Sequence, residues 1–181
     1  LLSDTHGELD ERIFHHFKYV DEIWHAGDIG NILLIDQLSK FKPCKSVYGN
    51  IDNSEIRKET NEFLFFKRND LKILMIHIGG KPGRYSKRSY ELIKIYKPDV
   101  FVCGHSHILF VQHDKSNQMI CLNPGASGYK GFHKVRTILR FDIDFSSIPS
   151  EFKNIIIGKP SSISAIGPCF ISPAAKPSEC I

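Results

Sequence analysis

The chain has 181 residues, 41% apolar and 24% charged, which is the make-up of an ordinary globular domain with one sizeable core. Its 24 basic and 20 acidic residues leave a formal charge of +4, too small to mark a nucleic-acid or membrane-surface binder. No apolar run reaches the length of a membrane span. The five cysteines show no C-x-x-C spacing and fit reduced thiols of a cytoplasmic protein better than a disulfide framework.

The chain begins Leu1-Leu2-Ser3-Asp4-Thr5-His6-Gly7, without a Met, and two apolar residues are short for a strand. A few residues are therefore expected to precede Leu1. On a strand, residues i and i+2 share a face, so a strand ending here aims Asp4 and His6 at one point beyond the sheet edge. An oxygen and a nitrogen donor converging there suit a metal ion, although D-x-H taken singly also reads as a polar turn or a helix cap.

Residues 8–18 carry Leu9, Ile13, Phe14 and Phe17 at helical spacing. Residues 21–27 (DEIWHAG) read as a short buried strand, and 31–41 (NILLIDQLSKF) as an Asn-capped helix with an apolar face. CKSVYG is the next strand. NEFLFFKR and LKILMIH flank Asn69-Asp70 as a hairpin.

The helix predicted over 86–97 is stopped by Pro98 and followed by the buried strand DVFVCG. ILFVQH and QMICLN form a second hairpin, and VRTILRFDI alternates as a half-buried antiparallel strand does. FKNIIIG (152–158) reads as the last strand. These elements make one domain over 1–158, and the Ser-, Pro- and Ala-rich stretch 159–181 reads as an irregular or disordered tail. The alternation of strands and helices gives an α/β class.

Ligand-type residues recur where these strands stop. HAGDIG places Asp28, VYGNID places Asn50, LMIHIGG places His77, and FVCGHSH places His105 and His107. In open α/β sheets the carboxyl ends of the strands form the ligand crevice, so Asp4, His6, Asp28, Asn50, His77, His105 and His107 are delivered to one edge. Singly, His77 reads as a hydrogen-bonded core histidine and His105-Ser106-His107 as an exposed turn. Five strand ends that all finish in ligand chemistry point to a shared site.

In this order, SDTHG, GDIG, YGNID, IHIGG and GHSH resemble the signature of the calcineurin-like metallophosphoesterases. The resemblance is to the small bacterial and archaeal phosphodiesterase branch, which also includes the retromer scaffold subunit. It covers about residues 1–145 and extends to LNPGASG before the last alternating strand. It implies an αββα two-sheet sandwich with a dinuclear metal site. One ion would be held by Asp4, His6, Asp28 and His107, and the other by Asp28, Asn50, His77 and His105, with Asp28 bridging. Imidazole, carboxylate and amide donors without thiolate suit two divalent transition-metal ions, Mn first, with Fe, Zn, Ni and Co as alternatives.

The implied activity is hydrolysis of a small phosphodiester or phosphate ester by a hydroxide bridging the two ions. Many members of the superfamily carry a His after the Asn to protonate the leaving group. Here that position is Ile51, which puts alkyl monoesters in doubt. Asp52 is the remaining candidate acid, though it reads more readily as a structural turn carboxylate. Lys81 and Arg84, with Lys87 and Arg88 beyond them, form a basic run that is either a solvated loop or a lip for a substrate phosphate. His25 is read as a core group behind the site, and His15, His16, His113 and His133 as non-ligands. The alternative function is a catalytically silent scaffold on the same fold, against which the full ligand set argues. A nuclease is disfavoured by the mild charge and the lack of an aromatic-basic patch.

Overall fold

The computed structural model describes residues 1–143 and the backbone of 162–166. In chain order the elements are α1 (Arg12–His16), β1 (Ile23–His25), α2 (Ile32–Phe41), β2 (Cys44–Ser46), α3 (Ser54–Glu59), β3 (Phe63–Arg68) and β4 (Leu71–Ile76). There follow β5 (Gly80–Lys81), β6 (Arg84–Tyr85), α4 (Lys87–Tyr96), β7 (Val100–Val102), β8 (Leu109–Asp114), β9 (Met119–Pro124), β10 (Arg136–Arg140) and β11 (Ser162–Ile166).

Five strands form one mixed sheet in the order β3-β4-β7-β9-β8, with β4, β7 and β9 parallel and both edge strands antiparallel. The second sheet is organised by the N-terminus. Leu2 bridges His25 of β1 in parallel, Leu1 and Leu139 of β10 exchange both backbone hydrogen bonds, and β1 pairs with β2 while β10 pairs with β11.

Strand alternation sorts the apolar residues into three cores. Leu1, Trp24, Met75, Val102, Leu122 and Leu139 pack between the two sheets. Their chain neighbours point the other way. Leu2, Ile23 and Ile138 meet Ile13 of α1, Leu34 and Leu38 of α2 and Ile56 of α3, while Leu74, Ile76, Phe101 and Cys121 meet Leu92 and Ile93 of α4. The layers are therefore helix, sheet, sheet, helix, which is the expected αββα sandwich.

Most of the predicted elements form, and the differences have local causes. The helix read over 8–18 is regular only at Arg12–His16. The α3 helix was not expected, because its six residues offer a single buried apolar side chain, Ile56; it is held by the Asn53 side chain accepting from the Ile56 N–H. The basic run after His77 is not a plain loop. Pro82-Gly83 turns it into the β5–β6 hairpin, with Lys81 opposite Arg84.

The stretch read as an irregular tail contains β11, which pairs antiparallel with β10 over all five of its residues. Its short Ser-Ile-Ser-Ala-Ile pairs with a sheet edge left open by β10, a tertiary demand that composition does not report. The strand expected over 152–158 lies outside the described residues. Among the described residues no helix is long and apolar enough to cross a membrane.

Candidate metal centre

The parallel strands converge on one edge, and the ligand-type residues sit on the turns just beyond it. Asp4 and His6 follow the N-terminal strand segment, Asp28 follows β1, Asn50 follows β2, His77 follows β4, and His105 and His107 follow β7. Five of these seven have left-handed backbone, with φ of 56° at Asp4, 51° at His6, 54° at Asp28, 68° at His105 and 57° at His107. Such conformations cost non-glycine residues about 1–3 kcal/mol each and gather where function requires them.

The side chains meet in two groups. Asp4, His6 and His107 offer donor atoms within 4.8 Å of one another, as do Asp28, His77 and His105. Asp28 lies between the groups, with Oδ1 3.2 Å from His77 Nε2 and Oδ2 3.8 Å from His6 Nε2. Asp4 Oδ1 stands 3.2 Å from His107 Nε2 and 4.0 Å from His77 Nε2. Asn50 is exposed on the turn beside Asp28, and the N–H of its neighbour Ile51 donates to Asp28 Oδ1 at 3.1 Å.

Three of the donor atoms, Asp4 Oδ1, His6 Nε2 and His77 Nε2, are buried without a hydrogen-bond partner. Orphaned polar atoms are costly unless something satisfies them. A pair of buried carboxylates ringed by imidazole lone pairs is a donor set that divalent transition metals fit. The electrostatics agree. Burial pushes the Asp4 carboxyl up against the pull of His77. It works the same way on Asp28, where the His77 ring 3.2 Å away and its charge overcome it and the net shift is down.

The surrounding chain fixes the orientation of these groups. His77 Nδ1 lies 2.7 Å from the Ala26 carbonyl, which must receive its proton, so the neutral ring presents an Nε2 lone pair to the site. Asp4 Oδ2 accepts from the His105 N–H at 3.1 Å. Gly27 is required by close approach, since a side chain there would strike the His77 ring. Asn123 of the LNPG stretch donates to the Gly104 carbonyl at 2.8 Å and holds the GHSH turn, while Ser127 and Gly128 N–H groups bond the Ser3 and Asp4 carbonyls.

Asp52 is 4% exposed and accepts from three backbone N–H groups: Ile29 at 3.1 Å, Gly30 at 2.7 Å and Gly49 at 2.7 Å. It ties the GDIG and GNID turns together, and that geometry is a clamp's. His25 is fully buried. Its Nδ1 accepts from the Gly27 N–H at 3.2 Å, which leaves the Nε2 proton for Thr5 Oγ1 at 2.9 Å, and Thr5 in turn donates to the Ile29 carbonyl at 3.0 Å. Lys81 and Arg84 are exposed and have no ion-pair partner among the described residues, whereas Arg88 is paired with Glu62 at 2.8 Å.

Residues 1–146 match the calcineurin-like phosphoesterase superfamily domain. The chain belongs to this superfamily. It is 33% identical over 133 residues to a probable metallophosphoesterase of Methanocaldococcus jannaschii, a match that covers 70% of this chain and 66%, just under two thirds, of that relative.

Among solved structures, Vps29 of Entamoeba histolytica complexed with Zn2+ superposes with a TM-score of 0.64 at 18% identity, covering 80% of this chain and 85% of that one. A novel archaeal phosphodiesterase superposes with a TM-score of 0.60 at 24% identity, covering 76% and 88%. At these identities the structures establish the fold. The family match establishes a phosphoesterase-type domain, and the similar archaeal protein is described as a probable metallophosphoesterase.

Two features of the site were not read from the sequence. One is the Asn123 brace. The other is His133, read as a non-ligand, whose Nδ1 lies 3.2 Å from His107 Nδ1. No spacing signal places a residue 26 positions away against that ring.

Proposed function

We propose that this chain is a metal-dependent phosphodiesterase that hydrolyses a small phosphodiester, with Asp4, His6, Asp28 and His107 holding one divalent ion and Asp28, Asn50, His77 and His105 the other. The observation that carries this reading is the convergence of three unsatisfied buried donor atoms, Asp4 Oδ1, His6 Nε2 and His77 Nε2, on the space flanked by Asp28. When bound, two such ions supply Lewis-acid charge for the phosphoryl oxygens and bring the pKa of water to about 7. Mn, Fe, Co, Ni and Zn all suit these imidazole, carboxylate and amide donors, and Mn2+ is the ion we put first for the test.

The residues of the chain do the rest. Asp28 directs one oxygen toward each histidine group. The Ala26 carbonyl holds the His77 proton on Nδ1, away from the site. Asp52 fixes the two turns that carry Asp28 and Asn50. Lys81 and Arg84, like charges facing each other across a tight hairpin, are suited to receive a non-reacting phosphate oxygen. Ile51 supplies no proton, so the leaving group departs as its own anion. The free thiols of Cys44, Cys103 and Cys121 fit a reducing cytoplasm.

A scaffold role is the second reading, favoured by one observation. Ile51, Ile78 and Ile108, each directly after Asn50, His77 or His107, are 45%, 43% and 65% exposed and present apolar surface around the site. Hydrolysis of an activated aryl phosphodiester separates the two. Turnover that depends on added Mn2+ and is lost in Asp28→Ala supports the enzyme, and its absence in metal-loaded protein supports the scaffold.

A further inference from the structure

The loop between β9 and β10 folds back over the Asp4/His6/His107 group and brings His133 against a ring proposed to hold metal. His107 Nδ1 and His133 Nδ1 are 3.2 Å apart, and His133 Nε2 is 2.9 Å from the Gly128 carbonyl. The ring centroids are 5.1 Å apart at an interplanar angle of 73°. Gly131, with φ of 132°, permits this approach, because a side chain there would strike both rings.

Proton positions follow from this chain of contacts. With both rings neutral, the two facing Nδ1 atoms share one proton. If His133 carried it, His133 Nε2 would turn a lone pair on the Gly128 carbonyl at 2.9 Å, two acceptors in contact. The carbonyl therefore places the His133 proton on Nε2. His133 Nδ1 is then an acceptor, and His107 must donate its own Nδ1–H. That leaves His107 Nε2 with a lone pair aimed at Asp4 Oδ1, 3.2 Å away, an oxygen that itself accepts no hydrogen bond. Two acceptors held face to face favour a cation between or beside them.

We propose that His133 is a positioning residue for the centre. Through its Nδ1 it fixes the tautomer and ring angle of His107, so that the Asp4/His6/His107 group is preset to receive metal. The Ala26 carbonyl does the same for His77 from the backbone. The two halves of the centre are thus oriented by different means, and a side-chain substitution can loosen one without touching the other. The proposal rests on the two-metal reading given above.

The test uses Zn2+, titrated against a chromophoric chelator into the metal-free chain, in wild type, His133→Ala, His133→Asn and His107→Ala. Loss of a partner behind a ligating imidazole typically costs about 10- to 100-fold in affinity. His133→Ala should weaken one of two binding steps by about that factor and leave the other unchanged. His133→Asn, whose Oδ1 accepts at the place of Nδ1, should retain wild-type affinity within about threefold, a rescue that a space-filling role does not predict. Nitrogen-15 spectra of the metal-free wild type, at a pH where both rings are neutral, should show the His107 proton on Nδ1.

Wild-type affinities in His133→Ala at both steps overturn the proposal, as does a His107 proton on Nε2. If the alanine variant does not fold, the tautomer and the asparagine variant still decide. Failure of the wild type to bind Zn2+ overturns the two-metal reading instead, while the spectra continue to test the His133–His107 contact.

Discussion

Asp28 Oδ1 lies 3.2 Å from His77 Nε2, and the two groups shift each other. Burial works to lower the His77 pKa, but the Asp28 carboxylate beside the ring and the charges of Asp4 and Asp28 carry it above its ordinary value. The Asp28 carboxyl, which burial tends to raise, ends below its ordinary value for the same reason. In the metal-free chain the pair thus serves as its own counter-charge, a role a bound cation would take over.

Because Asp28 faces both histidine groups, its loss should be worse than loss of a residue facing one. Asp28→Ala is expected to abolish high-affinity binding of both ions, and His107→Ala of one. Hydrolysis should fall about a thousandfold or more in the first, on the scale of several kcal/mol of lost charge stabilisation. Metal stoichiometry by elemental analysis, with turnover at matched free metal, checks this. An Asp28→Ala protein that holds two ions normally contradicts the bridging position.

Metal removal should be reversible and pH-dependent. A chelator is expected to abolish turnover and Mn2+ to restore it. Binding requires neutral His77, whose raised pKa lets protons compete at higher pH than for a free imidazole. Affinity should therefore fall as pH drops through that raised value and level off above it. Equilibrium binding between pH 8 and 5.5 reads the slope. Full activity in a demonstrably metal-free sample excludes the mechanism.

Ile51 leaves its position without a proton donor and is 45% exposed beside Asp28. General acid catalysis supplies about 100- to 10,000-fold, so its absence should make kcat/KM fall steeply with leaving-group pKa. Aryl diesters should be cleaved readily and alkyl monoesters slowly. Asp52→Asn should lower thermal stability, because three N–H groups lose a charged acceptor, yet leave that slope unchanged. A flat plot that becomes steep in Asp52→Asn would make Asp52 the acid.

His25 should make the metal-free chain acid-labile. Burial above all, with the charge of His77, lowers its pKa from 6.5 to about 3. Below about pH 6.5 the unfolded chain takes up a proton that the folded chain refuses, so stability falls from there toward pH 3 and is unaffected above. His77, with its raised pKa, acts in the opposite sense, so the comparison must isolate His25. Thermal melts in chelator from pH 8 to 5 should show a shallower acid decline for His25→Gln than for wild type. Parallel declines refute the assignment.

The sequence alone carried the family, the strand ends and the seven ligand-type residues, because each of these is local. An apolar run that stops at a polar turn is visible within a few residues, as at LMIHIGG and FVCGHSH. The two-sheet layering came from the resemblance to the family; which core each of Leu1, Leu2, Leu74 and Met75 enters is what the packed sheets show.

What only the tertiary structure decided depends on contacts between distant segments. The α3 helix exists through an Asn53 cap and one buried isoleucine, and β11 through the open edge of β10. Asp52 became a clamp by meeting N–H groups 22 and 23 residues away. His133, 26 positions from His107, found its place only when the β9–β10 loop closed over the site. Side-chain periodicity reports which face a residue shares with its own element. It carries no information about which donor from another element will come to rest against it, and at this centre those donors set the tautomers and the strain.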